Sequence, residues 1–91
     1  MKNIIQYRIE LRKRAKEELE FFKKNDKNTL RKIIQLIENI KITPYEGLGK
    51  PEALKNNLSG YWSRRINQEH RLVYKIEDNT IIIVASCRFH Y

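Results

Sequence analysis

The stretch IQYRIELRKRAKEELEFF, residues 5–22, changes its hydrophobic period part-way along, and that change decides the fold. Ile5, Tyr7, Ile9 and Leu11 alternate with Gln6, Arg8 and Glu10, the period of two expected of a half-buried strand. From about Arg12 the spacing becomes four and three, through Ala15, Leu19 and Phe22, which predicts an amphipathic helix. Asn25-Asp26-Lys27-Asn28 interrupts with capping and turning residues, and Leu30, Ile33, Ile34, Ile37 and Ile40 trace a second apolar stripe, so two helices form a hairpin. Beyond Thr43 helix periodicity disappears, and all three glycines and both prolines fall between positions 44 and 60, a loop with room for one short strand. Tyr61 to Ile66, Leu72 to Glu77 and Thr80 to Tyr91 are rich in β-branched and aromatic residues, separated by the turn-like Asn67-Gln68-Glu69-His70 and Asp78-Asn79. The expected architecture is α+β: an N-terminal strand, a helical hairpin, then antiparallel strands in a twisted sheet of four to five strands with the helices on one face.

At 91 residues the chain is sized for one domain, residues 1–91, with a small core. Nineteen Lys plus Arg against eleven Asp plus Glu leave +8, which points to an anionic partner such as RNA, DNA or an acidic protein. Residues 1–41 carry +6 of that excess and 42–91 carry +2. The run Arg12-Lys13-Arg14-Ala15-Lys16 is either a nucleic-acid patch or the solvated face of a helix. Cations on strands and in the glycine loop are better fixed in direction: Lys50, Lys55, Arg64, Arg65, Arg71 and Arg88. A single cysteine, Cys87, excludes a disulfide scaffold and a multi-cysteine metal site and suits a reducing compartment. Neither a signal peptide nor a membrane span is legible, so a cytoplasmic, membrane-free protein is expected.

The chain has no Walker A loop, GxGxxG, HExxH or Gly-x-Ser-x-Gly elbow, and only His70 and His90 offer imidazoles. What remains is acid–base chemistry on an anion, which needs a base, a proton donor and cations facing the charge on a phosphoryl group. Arg88 and His90 lie two apart, so alternation puts them on one face with Val84 and Ser86, while Cys87 and Phe89 turn toward the helices. That pair is either a phosphate site or two exposed polar residues. Glu52, after Gly49-Lys50-Pro51, is either a base presented on a rigid loop or an ordinary exposed glutamate. Tyr61 and Trp62 face opposite sides of a strand, as packing or as base-stacking platforms, and His70 reads as structural.

The string Thr43-Pro44-Tyr45-Glu46-Gly47, Gly49-Lys50-Pro51-Glu52, Leu54-Lys55, Asn57 through Ile66, Glu69-His70-Arg71-Leu72-Val73-Tyr74 and the ending Cys87-Arg88-Phe89-His90-Tyr91 closely resembles the YoeB (Txe/YoeB) toxins of the RelE/ParE superfamily. The resemblance spans about residues 7–91 and is densest from Thr43 onward. It implies the toxin of a type II toxin–antitoxin module, an endoribonuclease that cuts mRNA in the ribosomal A site without metal or cofactor. It further implies a cognate acidic antitoxin of YefM or Axe type, the bacterial ribosome with its mRNA as target, and a possible homodimer. By the same likeness Glu52 takes the proton of the ribose 2′-hydroxyl and His90 protonates the leaving 5′-oxygen. Arg71, assisted by Arg65, stabilises the phosphorane, Tyr91 orients substrate, and Lys50 and Lys55 contact phosphates. Phe89 stands where many members have Tyr, and about six residues precede the usual first strand. The competing expectations are a non-catalytic basic module that binds RNA or protein, and a ParE-like toxin that poisons DNA gyrase.

Overall fold

The computed structural model describes residues 6–86. In chain order these form β1 (Arg8–Leu11), α1 (Lys13–Asn25), α2 (Lys27–Ile42), β2 (Glu52–Ala53), a short 3-10 turn (Asn56–Leu58), β3 (Trp62–Arg65), β4 (Arg71–Glu77) and β5 (Thr80–Ala85). The α+β order follows the sequence pattern. The strands make one five-stranded sheet in the order β1-β5-β4-β3-β2.

One residue joins the helices. The Asp26 N–H closes α1 on the Phe22 carbonyl at 2.7 Å, and its carboxylate caps α2, accepting from the Thr29 N–H at 3.1 Å and the Thr29 hydroxyl at 2.6 Å. Helical spacing then aims Ala15 and Phe22 of α1, and Ile33, Leu36 and Ile40 of α2, at the sheet, where they bury completely against Leu72, Tyr74, Ile81 and Ile83. Ile34, expected in the stripe, is instead 50% exposed. It sits about 100° round the helix from Ile33, and Leu36 takes the inward position.

Two expectations about the sheet need correction. The first strand runs Arg8–Leu11, and it pairs parallel with β5, Arg8 opposite Thr80, so the sheet is mixed. Alternation reports which face a side chain takes and carries no information on direction. The direction is set by connection: the Asp78–Asn79 turn, with φ of 49° and 56°, closes a tight antiparallel hairpin between β4 and β5. The edge of β5 left free receives β1. Second, Val84 and Ser86 do not share a face. Val73 opposes Ala85 while Tyr74 opposes Ile83, a bulge that leaves Val84 unopposed and reverses the alternation beyond it. Ser86 accordingly meets α1, its N–H donating to Glu18 Oε1 at 2.6 Å.

The sheet therefore has a helix-covered face and an outer face. On the outer face a smaller cluster of Leu54, Val73 and Ala85 is flanked by Leu58, Tyr61 and Val84.

Candidate active site

Register places the charged residues of the outer face. Directly opposed residues in antiparallel strands project to the same side, and Glu52 opposes Ser63, which opposes Val73 of the outer cluster. Counting two residues along each strand brings Arg65 and Arg71 to that face, and these two oppose each other directly. Glu52, Arg65 and Arg71 thus share one surface spanning β2, β3 and β4. Standard strand spacing puts the Glu52 and Arg71 Cα atoms about 12 Å apart, a gap their side chains can narrow around a ligand.

The Arg65–Arg71 pair is chemically telling. Like charges directly opposite on neighbouring strands repel, and among the described residues neither guanidinium is in an ion pair with a carboxylate. Arg65 is exposed and Arg71 half-buried, so both can reach a ligand.

Lys50 and Glu52 arrive on a tightly held loop. The Gly49 carbonyl accepts from the Arg65 N–H at 2.6 Å, which lays the loop along β3 as a continuation of β2. Gly49 has φ of 81°, and a Cβ there would come within 3.0 Å of the Arg65 carbonyl and of Leu36. Lys50 follows with φ of 50°, the ring of Pro51 locks that residue's own φ, and Glu52 enters the sheet exposed. Lys55 is exposed at the far end of β2.

Arg64 belongs elsewhere. Expected among the phosphate contacts, it is 0% exposed on the helix side of the sheet. All five of its donors are spent on neutral acceptors: Nε on the Tyr74 hydroxyl at 3.1 Å, one terminal nitrogen on Asn39 Oδ1 and the Leu48 carbonyl at 2.6 and 3.0 Å, the other on the Thr43 and Glu46 carbonyls at 2.5 and 2.9 Å. The Tyr74 hydroxyl donates onward to the Pro44 carbonyl at 2.6 Å. A guanidinium so occupied has no donor left for RNA. Burial pushes the Tyr74 phenol above its ordinary 10.0, against the opposing influence of the Arg64 hydrogen bond and charge.

His70 packs its ring edge-on to Phe22, with centroids 5.2 Å apart, at the start of β4. Tyr61 and Trp62 divide between the two faces as alternation requires, Trp62 toward the helices and in contact with Tyr45 at 4.9 Å. Arg88, His90 and Tyr91 lie outside the described residues, as does Cys87. Nothing in the sequence pattern marks Asn39 or Tyr74 for this network. The available signal was parity, since Arg64 alternates in phase with Trp62 and Ile66.

A small mixed sheet, a helical hairpin on one face and a cationic outer face define a RelE-like toxin fold, and the comparisons narrow this further. Residues 11–91 match the family model described as the YoeB-like toxin of bacterial type II toxin–antitoxin systems, and the chain belongs to that family. It is similar to Toxin YoeB of Synechocystis sp., 61% identical over 71 residues that cover 78% of this chain and 81% of the relative. Toxin YoeB of Escherichia coli K12 is 54% identical over 71 residues, covering 78% and 83%. Among solved structures, the YoeB/ParE toxin from Agrobacterium tumefaciens superposes with a TM-score of 0.88 at 42% identity, covering 92% of this chain and 99% of that one. The YoeB dimer from Staphylococcus aureus superposes at 0.86 and 49%, covering 94% and 99%. A heterotetrameric YoeB–YefM toxin–antitoxin complex from the same organism gives 0.84 at 49% identity, with the same coverage.

Proposed function

We propose that the chain is a ribosome-dependent endoribonuclease that cuts mRNA in the A site by metal-independent acid–base catalysis and so stops translation. The carrying observation is the directly opposed Arg65–Arg71 pair on the same sheet face as Glu52. That arrangement suits a phosphodiester: two guanidiniums for the charge that grows on phosphorus, and a carboxylate beside them for the proton.

In this reading Glu52 removes the 2′-hydroxyl proton, and the freed oxygen attacks the adjacent phosphorus. Arg71, with Arg65, stabilises the crowded phosphorane. The bond to the 5′-oxygen breaks as His90 returns a proton to it, leaving a 2′,3′-cyclic phosphate and a 5′-hydroxyl. Tyr91 orients the substrate. Lys50 and Lys55 border the face and take flanking phosphates, as Arg88 does from the last segment. Glu52 is preferred to Glu46 as base because the Glu46 carbonyl is tied to Arg64 in the buried network, whereas Glu52 lies on the face of the arginine pair.

The partners follow from charge and kinship. A surplus of +8 fits both ribosomal RNA and an acidic antitoxin of YefM type, and the related S. aureus toxin is seen as a dimer and in a YoeB–YefM heterotetramer. In this reading the site of action is the cytoplasm, where ribosomes translate mRNA.

Primer extension on a defined mRNA decides the matter, comparing programmed ribosomes with naked mRNA. Codon-phased cuts confined to the ribosome sample, reduced at least about a hundredfold by Glu52→Gln, are expected. Uncut mRNA in both samples, from a protein that still arrests growth, would hand the role to a gyrase-directed or purely binding mechanism.

A further inference from the structure

We infer that Arg64, with Tyr74 and Asn39, is a positioning group for the base: it holds loop 43–50 in the one shape that delivers Glu52 to the arginine pair. The inference rests on the nuclease reading above and assigns Arg64 a part that is distinct from binding RNA.

Three backbone carbonyls, of Thr43, Glu46 and Leu48, turn inward onto a single guanidinium. Asn39 Oδ1 accepts from Arg64 at 2.6 Å and from the Leu48 N–H at 3.0 Å, while Arg64 takes the Leu48 carbonyl, so the two side chains together hold Leu48 at its donor and its acceptor. Tyr74 adds the Pro44 carbonyl. The loop has no regular secondary structure to fix it. Its backbone groups are satisfied instead by two neighbouring strand side chains and one helix side chain. The planar fork of arginine suits this task, since its donors keep fixed angles to one another and every carbonyl bound to it is thereby fixed relative to the rest.

The network ends where the catalytic segment begins. Leu48 is held by Arg64, Gly49 by the Arg65 N–H, and Glu52 follows three residues later across two strained or restricted positions, Lys50 and Pro51. Arg64 and Arg65 are adjacent on β3 and face opposite ways, so one short strand holds the loop from behind and presents an anion ligand in front. Displacement of a base by about 1 Å can cost on the order of a hundredfold in rate.

Tyr74→Phe is the informative variant, because it removes one hydroxyl and keeps the ring in the core; Arg64→Lys, which keeps the charge and loses the fork, is its companion. The full chain is assayed on programmed ribosomes, and folding is confirmed by circular dichroism. Tyr74→Phe is expected to lower kcat roughly tenfold with KM changed less than about twofold, and to speed amide exchange across 43–50. The decisive measurement is the same change in a Glu52→Gln background. A group that acts through Glu52 has little further to lose there, so the residual rate is expected to stay within about twofold. If both backgrounds lose the same factor, or if exchange across 43–50 accelerates while kcat is unchanged, the positioning role is overturned. Should Arg64→Lys fail to fold, the Tyr74→Phe pair of measurements stands alone. A wild-type chain that cuts nothing on ribosomes overturns the nuclease reading itself, an outcome distinct from equal losses in both backgrounds.

Discussion

Residue by residue, the largest consequence belongs to a buried arginine and the phenol beside it. At neutral pH, Tyr74→Phe leaves the Pro44 carbonyl and Arg64 Nε each short of a partner, and is expected to cost about 1–3 kcal/mol in urea unfolding. The same side chain makes stability pH-dependent. Because burial raises the folded phenol above 10.0, the native state holds that proton more tightly than the unfolded chain does. The contribution is complete below the unfolded value and is lost as pH climbs through the folded one. Urea midpoints compared at pH 8 and 11 are expected to fall in the wild type and to fall less in Tyr74→Phe. Part of this was legible from strand alternation: Arg64 shares parity with Trp62 and Ile66, which places it inward. Nothing local identifies its five acceptors, since they come from a helix, a loop and a neighbouring strand that meet only in three dimensions.

At the level of elements, caps and turns explain why the hairpins form where they do. Asp26 ends one helix and starts the next, and hydrogen bonds from Thr29 hold its carboxyl below the ordinary 3.8. A depressed carboxyl stabilises the fold above its unfolded value, and that stabilisation disappears as pH falls through the folded one. Thermal melts between pH 5 and 2 are expected to show an acid-side loss that Asp26→Ala lacks, the variant already melting lower at pH 5 through loss of the cap. Both helices, the late strands and the Asp78–Asn79 turn were legible because each is signalled by neighbours in sequence. The parallel partner of β1 and the bulge opposite Val73 were hidden, being properties of strand pairs rather than of strands.

For the molecule as a whole, the division into two faces organises charge and function. The helices and inner sheet face hold the core; the outer face holds the opposed arginines, flanked by Lys50 and Lys55. In the proposed function, attraction to ribosomal RNA draws on released counterions. Affinity for ribosomes, measured by sedimentation over a salt series, is expected to fall linearly on a log–log plot, and Arg65→Gln to reduce the slope by about 0.7–0.9 for one lost phosphate contact. The glutamate, the two arginines and their lysines are joined as a candidate set by the family resemblance. Their convergence on one face was not, because it depends on the register that pairs Glu52 with Ser63 and Arg65 with Arg71.

The pairing of β1 with β5 has a bearing on synthesis. Arg8 finds its neighbours only when Asn79 and Thr80 exist, so the first strand of the sheet is among the last pieces to be seated. Contacts between such distant parts of a chain form late and slowly. Made from its N-terminus, the sheet therefore stays one pairing short until β5 exists and can turn its free edge to β1.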